Sequence, residues 1–503
     1  MARSIFNRAM LGAAALVASV AAQSTCETVE KTTAIAVLKP ASVEYTTEQT
    51  HYWSTFSGDL KPTCILEPES PEEVAAILSI LRQNNETFAV KSGGHNPNNY
   101  FASVDGGPLI STKRLNEIIF DAATETARVG PGNRWDEVGE HLDATGYTAV
   151  GGRIGNVGVG GYLLGNGLSF MSTEYGWAAN SVLEYTVVLA NSSIVTVSNT
   201  SHPDLYMVLK GGGNNFGIVT SYLLRVYAQG DVWGGNLEFD ATPENNAALL
   251  TALRNFTENY PDEKAGIIMT AERTLATLLD IWVIFLYYNG PEPPQGVFDS
   301  FLAIGPTVNN CKTRRYSELL SNNNWAVVKG SVYTIGTETM PLPSKEDGPE
   351  VMQNIFDHWV NVSNTAQEVS GLIASIAFQP MPKRIASLAK SKGGDLLDLD
   401  DSIDRIVVEL DYSFLFKTDY DKIDITMSAT YDGIQSLVKG YQESSTLPSD
   451  VYLPLFMNDC FYPQDYFGRL RPEKLQLAQK VQAEVDPNGF FKERTGGFKI
   501  PAA

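Results

Sequence analysis

Apolar residues recur at two periods along this 503-residue chain, and the period decides the element. Val74, Ile77, Leu78 and Leu81 stand at helical spacing behind Ser70-Pro71-Glu72-Glu73. Ser70 suits the cap, Pro71 the first helical position and Glu73 a capping box, so a helix opens there. Short β-type runs flank it, Cys64-Ile65-Leu66 before and Phe88-Ala89-Val90 after, which predicts a strand–helix–strand unit. Ahead of it, 23–55 reads as a helical lead-in anchored by Tyr52 and Trp53. Later runs at 109–111, 118–120 and 126–129 read as strands. Gly130-Pro131-Gly132 breaks the chain, and Asn133 can cap a helix carrying Trp135, Val138 and Leu142. The runs 182–190 and 193–198 pair through an Asn191-Ser192 turn, 203–210 is a short helix, and 218–227 is a strand.

The pattern changes near 228–230. Beyond it a helix at 243–259 alternates with strands at 266–270, 278–288, 373–379, 405–412 and 451–456, and an amphipathic helix spans 474–485. Runs of strands mixed with helices predict a separate α+β domain. No internal repeat is visible.

Three glycine-rich stretches interrupt the first half. Lys91-Ser92-Gly93-Gly94-His95 follows a strand, where glycines free the backbone so that N–H groups converge on an anion. We read it as a diphosphate cradle with His95 placed to reach a flavin ring. Gly151-Gly152-Arg153-Ile154-Gly155-Asn156-Val157-Gly158-Val159-Gly160-Gly161 is too glycine-rich for a stable helix or flat sheet, yet too apolar for a solvated linker. It suits backbone packed on a large flat ligand. Gly211-Gly212-Gly213-Asn214-Asn215-Phe216-Gly217 feeds the 218–227 strand. Gly158-x-Gly160 is not a dinucleotide fingerprint, because the third glycine and the ribose acid are misplaced.

Charge narrows the partners. The net charge of −21 offers no basic field for nucleic acid or an anionic membrane. Arg3 and Arg8, an alanine-rich apolar run and Val20-Ala21-Ala22 read as a signal peptide over 1–22, too short to span a bilayer. Secretion permits disulfides, and Cys26–Cys64 would tie the new N-terminus to the first domain; Cys311 and Cys460 are a weaker pair. No C-x-x-C pair supports zinc or redox chemistry, and we expect no metal. Five sequons, at Asn85, Asn191, Asn199, Asn255 and Asn361, suit a secreted glycoprotein. No Gly-x-Ser-x-Gly elbow is present, which removes the hydrolase reading.

The three glycine motifs in order, with Tyr466-Phe467-Gly468 and Asp486-Pro487-Asn488-Gly489-Phe490-Phe491 near the end, resemble the FAD-binding module of berberine-bridge-enzyme-like oxidases of the vanillyl-alcohol-oxidase superfamily, most nearly the secreted fungal members. The resemblance implies an α+β fold: a two-subdomain PCMH-type FAD-binding domain at 23–228, a substrate-binding domain with a large antiparallel sheet at 229–460, and a C-terminal segment, 461–503, returning to the FAD domain. It implies a covalent bond from His95 to the flavin 8α-methyl group. Some relatives add a cysteinyl link, but Ile154 stands at that place, so we expect a single link. Lys91, Ser92, Gly93, Gly94, Gly151, Gly152, Val157, Gly158, Gly160, Gly161, Gly217, Ile218 and Val219 would surround the FAD.

The implied chemistry is oxidation of a small alcohol, sugar or secondary metabolite, with O2 as acceptor giving H2O2. Removing a hydroxyl proton needs a base. Relatives use a tyrosine of an Asn-Tyr motif; here Asn458-Asp459-Cys460-Phe461-Tyr462 puts Asp459 in its place, leaving Asp459 or Tyr462 as substitutes, with Tyr412 a further possibility. A dehydrogenase or oxidative cyclase of secondary metabolism is the alternative. A glycoprotein that keeps the fold only for binding is disfavoured by the intact His95 motif.

Overall fold

The computed structural model describes residues 24–274 and 279–502; the signal segment expected over 1–22 lies outside them. Among the described residues, three sheets build the fold. The first runs Ala36–Leu38, Cys64–Glu67, Pro108–Ser111, Ala89–Lys91, with its last three strands parallel and Ala36–Leu38 antiparallel at the edge. Helix Pro71–Gln83 buries Val74, Ile77, Leu78 and Leu81 against it. Ser70 Oγ accepts from the Glu73 N–H, while the Glu73 carboxylate accepts from Glu69 N–H, one residue outside the expected box. Cys26 and Cys64 form a disulfide, fixing helix Thr25–Thr32 to this sheet.

The second sheet is antiparallel and centred on the long strand Ile218–Ala228, which pairs with Thr126–Val129, Tyr147–Ala149 and Val182–Val188. The chain then crosses directly into the third sheet at Val232–Asp240. This sheet has eight strands, all antiparallel, with inner order Val232–Asp240, Leu279–Tyr288, Ala265–Thr274, Ile373–Met381, Arg405–Phe414, Val332–Pro341. Helices Pro243–Asn259, Gly348–Ser363 and Tyr420–Glu443 bury one face of it around Trp282, Phe378, Leu410 and Tyr412. Helix packing on one face leaves the alternate side chains for the other. After helix Pro472–Val485 the tail returns to the first half. Arg494 donates to the Leu81 and Asn84 carbonyls at the end of helix Pro71–Gln83, and Asn215 donates to Phe498 O.

Several elements differ from the sequence reading. The lead-in contains a strand, Ala36–Leu38, between its helices. Arg134 rather than Asn133 precedes helix Trp135–Asp143; the Asn133 amide donates back to Gly130 O and closes the turn. A short helix, Val159–Leu164, forms inside the second glycine stretch. Residues 451–456 form no strand. Strand Val332–Pro341 is buried at all ten positions, so it carries no polar–apolar alternation to mark it. Cys311 and Cys460 are both free.

Candidate functional site

A cavity of about 420 Å³ lies between the glycine-rich loops and the open face of the third sheet. Its first wall is made largely of backbone. Ser92, Gly93, Gly94, His95, Gly152, Val157, Gly158, Gly160, Gly161, Gly217, Ile218 and Val219 all line it. Most of these glycines are demanded by the chain itself. A Cβ on Gly158 would sit 2.3 Å from Gly93 N, and one on Gly93 2.5 Å from Gly158 Cα, so the two loops touch backbone to backbone. Gly94 has φ +68°, in the left-handed region. Ser92 Oγ donates to Pro131 O (2.6 Å) and accepts from Gly160 N–H (3.1 Å). Arg134 ties the loops together, donating to Gly93 O at 2.7 Å and to Asn156 O.

Gly161 is different: a Cβ there would meet nothing within 4 Å, yet the residue faces the cavity. His95 is different too. Its ring lies 4.6 Å from that of Trp53, and its buried Nε2 has no hydrogen-bond partner. Burial first, and then the Arg134 charge, push its pKa down to about 4, so the imidazole is neutral at physiological pH. The N–H groups of Gly93 and Gly94 find no acceptor among the described residues. An unpartnered Nε2 on a neutral imidazole, free amide donors and an open glycine fit a flat ligand with an anionic arm.

Two residues expected here are elsewhere. Lys91 is fully buried beneath the loop, where Nζ donates to Glu48 O and Oε1 at 2.6 and 2.8 Å; it supports the cradle without lining it. Gly151 is filled by Trp135, whose indole a Cβ would strike at 2.2 Å. Ile154 does line the cavity, packed with Trp53, Val327 and Tyr333.

The second wall is side chains on neighbouring strands. Glu272, Ser375, Asp411 and Ile335 form one rung of the sheet, and Thr270, Ala377, Glu409 and Thr337 the next. Asp459 joins them from the short turn Met457–Asp459. Gln379 Nε2 donates to Glu409 Oε2 (2.9 Å) and Asp459 Oδ2 (2.8 Å), linking the two acids. Burial, then mutual repulsion, raises Glu409 and Asp411 to about 8 and Asp459 well above the carboxylate range; burial, then the Glu238 charge, raises Glu272 as well. Arg153 opposes this for Glu409 and Asp459.

Of the two candidate bases, the structure keeps Asp459 at the cavity and removes Tyr462. Tyr462 is 44 % exposed, does not line the cavity, and donates to Asp424 Oδ2 at 2.9 Å. Tyr412 points to the helix side of its strand, where its hydroxyl contacts Ser363 and Thr430. Glu409 and Asp411, its alternating neighbours, are the residues that face the cavity. The signal for them was two acids at alternate positions of an otherwise apolar strand. The five sequon asparagines lie outside the cavity; Asn85, Asn191, Asn199 and Asn361 are exposed, and Asn255 is half-buried on helix Pro243–Asn259.

Residues 62–198 match the FAD binding domain family. An uncharacterized FAD-linked oxidoreductase of Arthroderma benhamiae is 39 % identical over 92 % of this chain and 92 % of its own length. An FAD-dependent monooxygenase of Fusarium proliferatum is 31 % identical over 89 % of this chain and 87 % of its own. Among solved structures, a berberine bridge enzyme variant in complex with (S)-reticuline superposes with a TM-score of 0.76 at 15 % identity, covering 95 % of this chain and 98 % of that one, which shows the shared fold. With the glycine cradle, the unpartnered His95 Nε2 and relatives matching along nearly their whole length, the chain belongs to the FAD-linked oxidoreductases that carry this FAD binding domain.

Proposed function

We propose that this is a secreted, glycosylated FAD-linked oxidase of a small organic substrate, with the cofactor bonded through His95 alone and O2 as the acceptor giving H2O2. In this reading 23–228 holds the cofactor, 229–460 builds the substrate side, and 461–503 returns to the cofactor side. One observation carries it: the same cavity has the neutral His95, its Nε2 without a partner, on one wall and the acids Glu409, Asp411 and Asp459 on the other.

Ser92, Gly93, Gly94, Gly158, Gly160 and Gly161 would hold the FAD, with Gly217, Ile218 and Val219 along it. Bound flavin supplies a two-electron acceptor. The chain supplies the rest. Ile154 offers no thiolate, and neither free cysteine lines the cavity, so a second covalent link has no ligand among the described residues. Substrate oxidation also releases a proton, and Asp459 and Glu409, held in register by Gln379, are the groups placed to take it. Trp53, Tyr333, Phe285 and Ile335 give an apolar seat that keeps water from the reacting carbon.

The monooxygenase relative favours a second reading, an oxidative enzyme of a biosynthetic pathway in which product shape matters as much as electron removal. A peroxide-release screen over alcohols, sugars and secondary metabolites separates the two. The anchor is tested by acid denaturation. Flavin fluorescence should stay with the wild-type chain on a denaturing gel and be released from His95→Ala. Retention by His95→Ala, or a flavin-free wild type, overturns the proposal.

A further inference from the structure

The glycine cradle has the shape of a diphosphate site but carries no charge of its own. Among the described residues lining the cavity, Arg153 is the one lysine or arginine, and its charge acts on Glu409 and Asp459. Two cations lie behind the cradle, and both are engaged. Lys91 is held by Glu48, and Arg134 by the Gly93 and Asn156 carbonyls. The nearby hydroxyls are engaged too: Ser92 Oγ with Pro131 O and Gly160 N–H, and Thr112 Oγ1 with Lys91 O. Asn96 accepts from the Asn98 N–H.

A further cation stands behind the wall that the C-terminal segment contributes. Phe491, Thr495, Gly497 and Phe498 line the cavity. Asn214 Nδ2 donates to Gly496 O and Asn215 Nδ2 to Phe498 O, each at 2.9 Å, and Gly497 turns at φ +99°. The Phe498 ring meets that of Phe101 edge-on at 5.0 Å, and Phe101 belongs to the loop that follows His95. The tail thereby joins the third glycine stretch to the continuation of the cradle.

Lys499 comes next. It is half-buried, and its Nζ donates to Thr495 Oγ1 at 2.9 Å. It makes no ion pair among the described residues. The acid whose charge reaches it, Asp486, commits both oxygens to the N–H groups of Phe490, Phe491 and Lys492. Burial, opposed by Asp486, lowers the Lys499 pKa to about 7. An ammonium drawn from water without an acid against it is unfavourable unless an anion arrives. Thr495 Oγ1 also receives Asn214 Nδ2 at 3.5 Å, so a hydroxyl, an amide and an ammonium converge at the cavity wall with no carboxylate among them. That set suits phosphate oxygens.

We infer that the C-terminal segment 495–499 recognises phosphate: Lys499, acting through the Thr495 hydroxyl at the cavity wall, supplies the countercharge for the diphosphate arm of the FAD. This rests on the reading that the cavity holds FAD, and it makes Lys499 a positioning residue.

The full-length His95→Ala protein, whose flavin is held without the bond, allows titration with FAD and with riboflavin, which lacks the phosphates. In that chain Lys499→Met should weaken FAD at least tenfold and leave riboflavin within about twofold, since the lost partner is a charged donor to phosphate. Lys499→Arg should bring FAD back to within about threefold, and Thr495→Val should weaken it by about three- to tenfold. Without flavin, Lys499→Met should melt at or above its parent at pH 6, because the uncompensated ammonium is gone. In chains otherwise wild type, expressed with limiting riboflavin, the flavin-to-protein ratio of Lys499→Met should fall below about half that of its parent, a readout that does not depend on the His95→Ala protein. Unchanged FAD affinity or flavin content, an equal loss for FAD and riboflavin, or a lowered Tm in flavin-free Lys499→Met overturns the inference. A wild type that purifies without flavin would instead defeat the FAD reading itself.

Discussion

The two walls of the cavity are made by opposite means. The cofactor-side wall is close-packed chain: Gly93 backbone on Gly158 backbone, Gly152 on the Trp135 indole, and Ser92 Oγ between Gly160 N–H and Pro131 O. At Gly93 and Gly158 its shape tolerates no added atom. The substrate-side wall is a regular antiparallel sheet from which alternate side chains project, so Glu272, Ser375, Glu409 and Asp411 can change without disturbing the ladder that carries them. One wall fixes where a cofactor lies; the other sets what is done in front of it. Substitutions should therefore fail differently on the two sides.

The largest effect belongs to the first wall. In Gly158→Ala the new methyl would meet backbone atoms of Gly93, which cannot swing away, and the overpacking costs about 3 kcal/mol or more. We expect poor expression, a lowered Tm and no bound flavin. Gly161→Ala is its control. The methyl meets no protein atom, and alanine suits the short helix better than glycine. Its Tm should hold or rise while flavin content falls, because the space is the ligand's. If both variants melt alike and keep flavin alike, the wall is not organised as described.

The second wall should lose chemistry before stability. Asp459→Asn keeps the shape and the Gln379 contact but removes the proton acceptor, and a positioned base contributes about 10²- to 10⁴-fold. We expect kcat to fall in that range with flavin content and Tm near wild type. A variant retaining more than a third of wild-type kcat would shift the role to Glu409, which shares Gln379 with it.

How far these walls were legible in the sequence follows from the same contrast. The cofactor wall was readable because glycine leaves a mark: a run such as 151–161 has few structural uses. Yet the reason assigned was incomplete, since Gly93, Gly151 and Gly158 serve other parts of the chain, and only contacts between distant segments reveal that. Lys91 was misplaced for the same cause; its partner Glu48 lies 43 residues away. The substrate wall was nearly invisible. Its acids come from two strands and a turn spread over 272–459, and pairing register, which no local pattern encodes, gathers them. Strand 405–414 was found from its apolar run, but the residue singled out, Tyr412, lay on the helix-packed face. The period of two that located the strand also separates Tyr412 from Glu409 and Asp411.

The smallest effect tests how the walls speak to each other. Arg153 comes from the glycine run yet acts on the acids opposite, holding Glu409 and Asp459 down against burial and mutual repulsion. The groups facing this charge are Glu409, Asp459 and the Tyr162 and Tyr316 hydroxyls; Glu272 and Asp411 lie further along the sheet. A base works deprotonated, so kcat/KM should rise with pH and level off near 8, where Glu409 and Asp411 lose their protons. In Arg153→Gln the carboxyl pKa values climb, and the rising limb should move up by about half to one pH unit, a three- to tenfold loss at pH 7. Stability follows the same sign. Carboxyls whose folded pKa is raised contribute stability that is complete below the unfolded value near 4 and is lost as pH rises through the folded value. The wild type should thus lose Tm between about pH 5 and 8, and Arg153→Gln should keep losing it at higher pH, because nothing then offsets the buried negative charge. Thermal melts at pH 6 and 9 alongside the rate profile check both halves. A limb that stays put while Tm falls equally at the two pH values would reduce Arg153 to a packing residue and leave the two walls electrostatically independent.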